Sequence, residues 1–228
     1  MIFIVKIFKK SLTVSYSLID WRDKDVVVPV KDQGHCGSLW AFAAVGSIES
    51  AYAIKTGKLV SLSEQQLIDC SILLENMGCY GGLTTVAFQY IQEAGGIQTS
   101  DTYPYKAIEN TCTFKTSKVV FRLCGFVKIS YGSEATLQQA VALLGLVAAS
   151  VDASQDLFQF YRSGVYNEPD CSQTQLDHSM LIVGYGNESS KDYWLLKNSW
   201  GAEGYIKMTR NKNNQCSIAT SASYPILC

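Results

Sequence analysis

The segment from Leu39 to Lys55, LWAFAAVGSIESAYAIK, limits the fold more than any other part of the chain. Its start is apolar on almost every side, and a helix with that pattern must be covered all round. Thr56-Gly57 closes it, with Gly57 free to take the left-handed cap conformation. A chain of 228 residues, 47% hydrophobic and 17% charged, has the material for such cover. It can form one large domain or two small halves packed as one body.

Further elements follow from local signals. Ser63-Glu64-Gln65-Gln66 reads as a capping box, so a second helix starts before Leu67-Ile68. Thr84 to Ala94 carries apolar residues at helical spacing and stops at Gly95-Gly96. Ser133 caps a helix over Glu134 to Leu144, closed by Gly145. The remainder reads as short strands: Leu146 to Asp152, Met180 to Tyr185, Tyr193 to Asn198 and Tyr205 to Met208. Helices first and strands later predict an α+β chain of two lobes. There is no internal repeat and no low-complexity stretch.

Charge and cysteines narrow the function classes. The net charge of −1, with Lys and Arg spread along the chain, gives no footprint for nucleic acid. No apolar run is long enough to cross a bilayer. The eight cysteines, Cys36, Cys70, Cys79, Cys112, Cys124, Cys171, Cys216 and Cys228, form no paired C-x-x-C module, and His35 and His178 are the only histidines. Neither a metal nor a cofactor is therefore expected. Scattered cysteines suit disulfides in an oxidising compartment, and Asn187-Glu188-Ser189 is a weak glycosylation sequon. The first residues do not match an export signal: Lys6 interrupts the apolar run Met1 to Val5, and Lys9-Lys10 follow it.

The segment Gln33-Gly34-His35-Cys36-Gly37-Ser38-Leu39-Trp40-Ala41-Phe42 opens the apolar helix. It resembles the papain-family signature, in which C-G-S-C-W-A-F carries the catalytic cysteine, except that Leu39 stands where that cysteine is expected. The resemblance runs from about Ser17 to Pro225. Asp20-Trp21-Arg22 resembles the family's mature N-terminal strand. Ser61 to Cys70, Gly78-Cys79-Tyr80-Gly81-Gly82, Asp177-His178, Tyr193-Trp194, Lys197-Asn198-Ser199-Trp200-Gly201 and Ala222-Ser223-Tyr224-Pro225 resemble its cathepsin L branch.

That resemblance implies a papain-like two-lobed fold with a cleft: a helical lobe over about 25–120 and a β-rich lobe over about 121–220, after an atypical segment 1–16 in place of a propeptide. It also implies roles. A cysteine nucleophile needs a depressed pKa, which a helix N-terminus and a paired histidine supply. His178 would be that histidine, Asn198 would orient its ring, and Gln33 would donate to the oxyanion. Leu83, Thr84, Ser150, Leu176, Ser179 and Ser221 would line the pocket for the residue two before the cut, more polar than is usual in the branch. The implied disulfides are Cys36–Cys79, Cys70–Cys112 and Cys171–Cys216. Cys124 and Cys228 have no partner in the family: they are free, pair with each other, or link chains.

The chain departs from the family elsewhere. About four residues, including a tryptophan, are missing between Gly201 and Tyr205; Ser179 stands where glycine is common, and Leu146 where proline is. Leucine offers no nucleophile, and Ser38, one residue and about 100° of helix away, is expected to point elsewhere. The primary expectation is a catalytically inactive peptidase homologue that holds peptides or proteins in its cleft, propeptide-like or cystatin-like inhibitors among them. The alternatives are an active cysteine endopeptidase and a decayed gene product. By resemblance its place is lysosomal or extracellular.

Overall fold

The computed structural model describes residues 17–202 and 204–228. The atypical segment 1–16, and Glu203 in the shortened loop, lie outside the described residues. In chain order the elements are β1 (Ile19–Asp20), α1 (Leu39–Thr56), α2 (Glu64–Cys70), α3 (Thr84–Glu93), β2 (Ile97–Gln98), β3 (Val119–Phe121), β4 (Leu123–Lys128), α4 (Glu134–Leu143), β5 (Val147–Val151), α5 (Asp156–Gln159), β6 (Val165–Tyr166), β7 (His178–Glu188), β8 (Lys191–Lys197), β9 (Tyr205–Thr209) and β10 (Ser221–Leu227). The class is α+β, with helices leading and a mostly antiparallel sheet following.

Helix α1 is the spine. Trp40, Ala41, Ala44, Val45 and Ile48 are sealed from solvent, and the buried side chains run round the helix. Gly57 ends it at φ 71°, its N–H bonded to Ala53 O at 2.8 Å. The Ser63 hydroxyl accepts from Gln66 N at 3.0 Å and caps α2. The other half of the expected capping box does not form. Gln66 instead clamps the β2 segment, accepting from Gln98 N at 2.8 Å and donating to Gly96 O at 3.0 Å. Burial explains the exchange, because Gln66 is fully enclosed and must satisfy both ends of its amide.

The main sheet runs β4-β10-β5-β7-β8-β9-β6, with β1 added on β7. The expected N-terminal strand is shorter than the motif: Ile19 and Asp20 pair with Tyr185 and Gly184, whereas Trp21–Lys24 turn into a 3-10 helix. Glu134, at the start of α4, knits the far side of the sheet, accepting from Trp194 Nε1, Asn211 N and Asn214 N at 2.7–3.0 Å.

Register places the two cores. Ser150 pairs with Ser179 and Ala148 with Leu181 across β5 and β7, while Ser221 and Ser223 of β10 oppose Ser150 and Ala148. Residues two apart share a face, so these six look the same way. That way is toward the helices: Ala148 joins the core of α1 and α3, and Leu181 packs so close to Gly46 that a Cβ there would sit 2.8 Å from it. The other face, with Val147, Ala149, Val151, Met180 and Ile182, builds a second core under α4.

Candidate active site

The start of α1 is held by backbone constraints. Gly37 N donates to Cys79 O at 2.8 Å, and a Cβ on Gly37 would stand 2.5 Å from that oxygen, so the position needs glycine. Cys36–Cys79 closes the same loop, as the resemblance implied; Cys70–Cys112 and Cys171–Cys216 form too. The open question of the last two cysteines is answered by Cys124–Cys228, which joins β4 to the end of β10. Ser38 is wholly buried, its Oγ 2.8 Å from Tyr105 Oη. The Tyr105 proton goes to Gln33 O at 2.7 Å, so Ser38 donates to Tyr105. Leu39 is the first residue of α1 and packs half-buried against the helical core.

A relay of hydrogen bonds connects this helix start to the β-sheet. Gln33 Nε2 donates to Cys36 O at 2.9 Å, and Ser199 Oγ donates to Gln33 Oε1 at 2.6 Å. Ser199 N donates to Asn198 Oδ1 at 2.9 Å, and His178 Nε2 lies 2.8 Å from the same oxygen. An amide oxygen only accepts, so Nε2 carries the proton and Nδ1 is left as the acceptor. His178 opens β7 and is 5% exposed; burial holds its pKa below the ordinary value, opposed by the Asn198 bond and by Asp177. Its ring lies 4.9 Å from Trp200, and Phe158 meets both rings at 5.9 Å.

Ser150, Ser179 and Ser221 form one row across β5, β7 and β10, with Ser150 Oγ 3.0 Å from Ser179 Oγ. Thr84, the first residue of α3, reaches the same sheet face through Ser223 at 3.3 Å. Leu83 precedes it, 56% exposed. Leu176 flanks the row, since Asp177 N bonds Val151 O at 3.1 Å. A recess of about 280 Å³ opens beside Asn198, walled by Phe158, Tyr161, Trp200, Tyr205 and Ile206.

Sequence reasoning missed several members. Tyr105 holds both Ser38 and Gln33, and Ser199 carries the relay. A buried ionic group, Lys31, Glu49, Glu64 and Lys197, lies behind the site. Its signal was available: Glu49 is an acid inside an otherwise apolar helix.

The fold and these residues carry the stamp of a protein class. Residues 16–226 match the papain family cysteine protease family, and the chain belongs to it. Within the family it is cathepsin L-like. It is 53% identical to a cathepsin L-like peptidase of Aedes aegypti over 92% of this chain and 63% of that protein. It is 48% identical to human cathepsin L2 over 96% of this chain and 69% of that protein. A digestive procathepsin L 3 of Tenebrio molitor larval midgut superposes with a TM-score of 0.90 at 44% identity, over 95% of this chain and 72% of that one. The chain thus spans somewhat less than two thirds of the length of the mosquito relative.

Proposed function

We propose that this chain is a non-catalytic cathepsin L-like protein that holds peptide segments in the cleft between a helical lobe (about 25–120) and a β-rich lobe (about 121–220). The observation that carries the reading is the position of Leu39. It opens α1 three residues after Cys36, where the Cys36–Gln33–Ser199–Asn198–His178 relay ends, and by the resemblance this is the position of the family's thiol. An alkyl group there forms no acyl intermediate. Its neighbours do not replace it: Ser38 Oγ is turned to Tyr105, and Cys36 is locked in a disulfide. Removing the nucleophile from a triad enzyme leaves only about 10³–10⁴-fold acceleration over water.

The ligand class is an extended peptide, including the inhibitory segments that such clefts accept. The structural neighbours being procathepsins supports that class. Four disulfides support an oxidising location, lysosomal or extracellular. The intact His178–Asn198 pair favours a second reading, a working endopeptidase, and the recess beside the shortened loop favours a third, a decayed product.

One experiment separates the three. The purified chain is assayed for cooperative unfolding, for binding of a propeptide-type segment, and for cleavage of dipeptidyl fluorogenic substrates. A folded protein that binds and does not cleave is expected. Cleavage that survives Ser38→Ala and vanishes with His178→Ala overturns the reading in favour of the enzyme, and failure to fold overturns it in favour of decay.

A further inference from the structure

Asn187-Glu188-Ser189 is the only N-x-[ST] triplet of the chain, and it takes no part in the relay, the serine row or the recess. It ends β7 and starts the hairpin into β8. Strand β7 is buried from His178 to Gly186, and Asn187 is the first of its residues that solvent reaches. Cα partners run Asn187–Asp192 and Glu188–Lys191, so Ser189 and Ser190 form the turn. Both take positive φ, 50° and 64°, as a two-residue turn must to continue the twist of a β-hairpin. Asn187, Ser189, Ser190 and Lys191 are all exposed.

The amide nitrogen itself is placed. Asn187 Nδ2 donates to Asp192 Oδ1 at 2.9 Å, at the exposed end of the hairpin. Asp192 is fixed in turn: its Oδ2 accepts from Asn211 Nδ2 at 2.7 Å, and Arg210 lies 3.5 Å from Oδ1. A primary amide carries two N–H protons, and this contact uses one. The other can be exchanged for a carbon substituent while the bond to Asp192 remains. A substituent there stands well away from the relay, because nine residues of extended strand separate Asn187 from His178, roughly 30 Å. The four disulfides add a second condition, since the oxidising compartments in which such bridges form include the lumen where asparagine-linked sugars are attached. We propose that Asn187 is a modification site that carries an N-linked oligosaccharide beginning with N-acetylglucosamine. The donor is a lipid-diphosphate-linked oligosaccharide. In the transfer the bond from Asn187 Nδ2 to the sugar C1 forms and the bond from C1 to the diphosphate oxygen breaks. The lipid diphosphate leaves with that electron pair, and one Nδ2 proton passes to a base of the transferase. Ser189 supplies the hydroxyl by which the transferase recognises the triplet.

The proposal does not depend on what stands at position 39, so its test reads a covalent bond rather than binding or catalysis. The full chain is sent behind a cleavable leader into the endoplasmic reticulum of cultured cells, recovered, and treated with a peptide-N-glycanase. One sugar chain per protein is expected: a single mobility shift that collapses on treatment, with an aspartate left at position 187 in the peptide map. An asparagine that serves only the hairpin needs its amide alone, whereas a glycan acceptor needs the hydroxyl two residues on as well. Ser189→Ala keeps the Asn187–Asp192 bond and is expected to abolish the shift, as is Asn187→Gln. Ser190→Ala alters the same turn and is expected to keep it. A chain that reaches the lumen, shown by loss of its leader, and carries no sugar overturns the proposal, whether or not it goes on to fold. A shift that survives Ser189→Ala, or one mapped to another residue, overturns it too.

Discussion

Gln33 and Ser199 are joined twice: Gln33 N donates to Ser199 O at 2.9 Å, and Ser199 Oγ donates to Gln33 Oε1 at 2.6 Å. One contact fixes the backbone and the other fixes the side-chain amide, so the loop before α1 and the loop after β8 move as a unit. The consequence is that these two loops are kept in register independently of Leu39. Leu39→Cys is therefore expected to yield a weak peptidase at a stability cost of at most about 3 kcal/mol. Adding Ser199→Ala leaves Gln33 Oε1 buried without a donor, costs about 1–3 kcal/mol, and lowers kcat in the Cys variant more than it raises KM. Active-site titration with a thiol-directed epoxide checks the first claim; full family-like turnover, or none from a folded variant, contradicts it.

The ionisation of His178 should follow its two neighbours in opposite senses. The Asn198 bond raises its pKa against the depression caused by burial. Asn198→Ala therefore moves the midpoint still lower. Leu39→Cys moves it higher, because a thiolate beside the ring favours imidazolium. With only His35 as the other imidazole, ring-proton chemical shifts followed against pH resolve both. An unmoved midpoint in the Asn198 variant would contradict the geometry.

The serine row predicts a coupling. Ser150 and Ser179 satisfy each other at 3.0 Å on a buried sheet face. Either single change to Ala should cost about 1–3 kcal/mol, whereas the double change should be nearly neutral. The same double variant should strengthen the preference of the cleft for Phe or Leu at the matching peptide position. Denaturant unfolding and peptide arrays give the two readouts, and additive single costs would count against the pair.

The ionic group behind the site predicts an acid-favoured term in stability. Burial, above all, pushes Glu64 up to about 7 from an ordinary value near 4.5, with Glu49 adding to the rise and Lys31 opposing it. Between those values the folded chain binds more protons than the unfolded one. The contribution of Glu64 is thus complete below pH 4.5 and is lost as pH rises through 7. His178, depressed by burial, works the other way, so the total curve is a sum of opposed trends. The difference between the unmodified chain and Glu64→Gln isolates the carboxyl: that difference in Tm should shrink steadily from pH 4.5 to 7. A pH-independent difference would contradict the raised pKa.

Cys124–Cys228 spans 104 residues of sequence. Loops of that size are worth up to about 4.7 kcal/mol in chain entropy, with about 2–4 typical. Replacing both cysteines by Ser should lower stability by about 2–4 kcal/mol while the other three disulfides keep the fold. Loss of all folded signal would mean that the bridge does more than restrict the unfolded chain.

Where the sequence carried strong local chemistry, it read correctly: α1 with its glycine stop, Ser63 and Ser133 as caps, and β5, β7, β8 and β9 to within three residues at each end. Strand β10 was illegible because SASYPIL has small residues and a proline. The structure accommodates Pro225 because β10 pairs with β5 only over residues 221–223, and beyond that β4 is its only partner. Strands of two residues, such as β1, β2 and β6, have no period to detect. In the site, His178, Asn198 and Gln33 were singled out through their order along the chain, and the structure joins them in one hydrogen-bond relay. Lys31, Glu64 and Lys197 were not singled out, because charge reads as surface until burial is known, and Glu49 inside the apolar helix was the one signal passed over.

The tilted contact of Trp200 with His178 gives this chain a built-in optical probe. An imidazolium accepts an electron from an excited indole, and a neutral imidazole does so far less readily. The other tryptophans are placed differently: Trp40 and Trp194 are fully enclosed, and Trp21 is tied by its Nε1 to Val141 O. The emission of Trp200 should therefore dim as His178 takes up its proton and recover as it loses it. Fluorescence intensity against pH then reports the charge of the histidine directly.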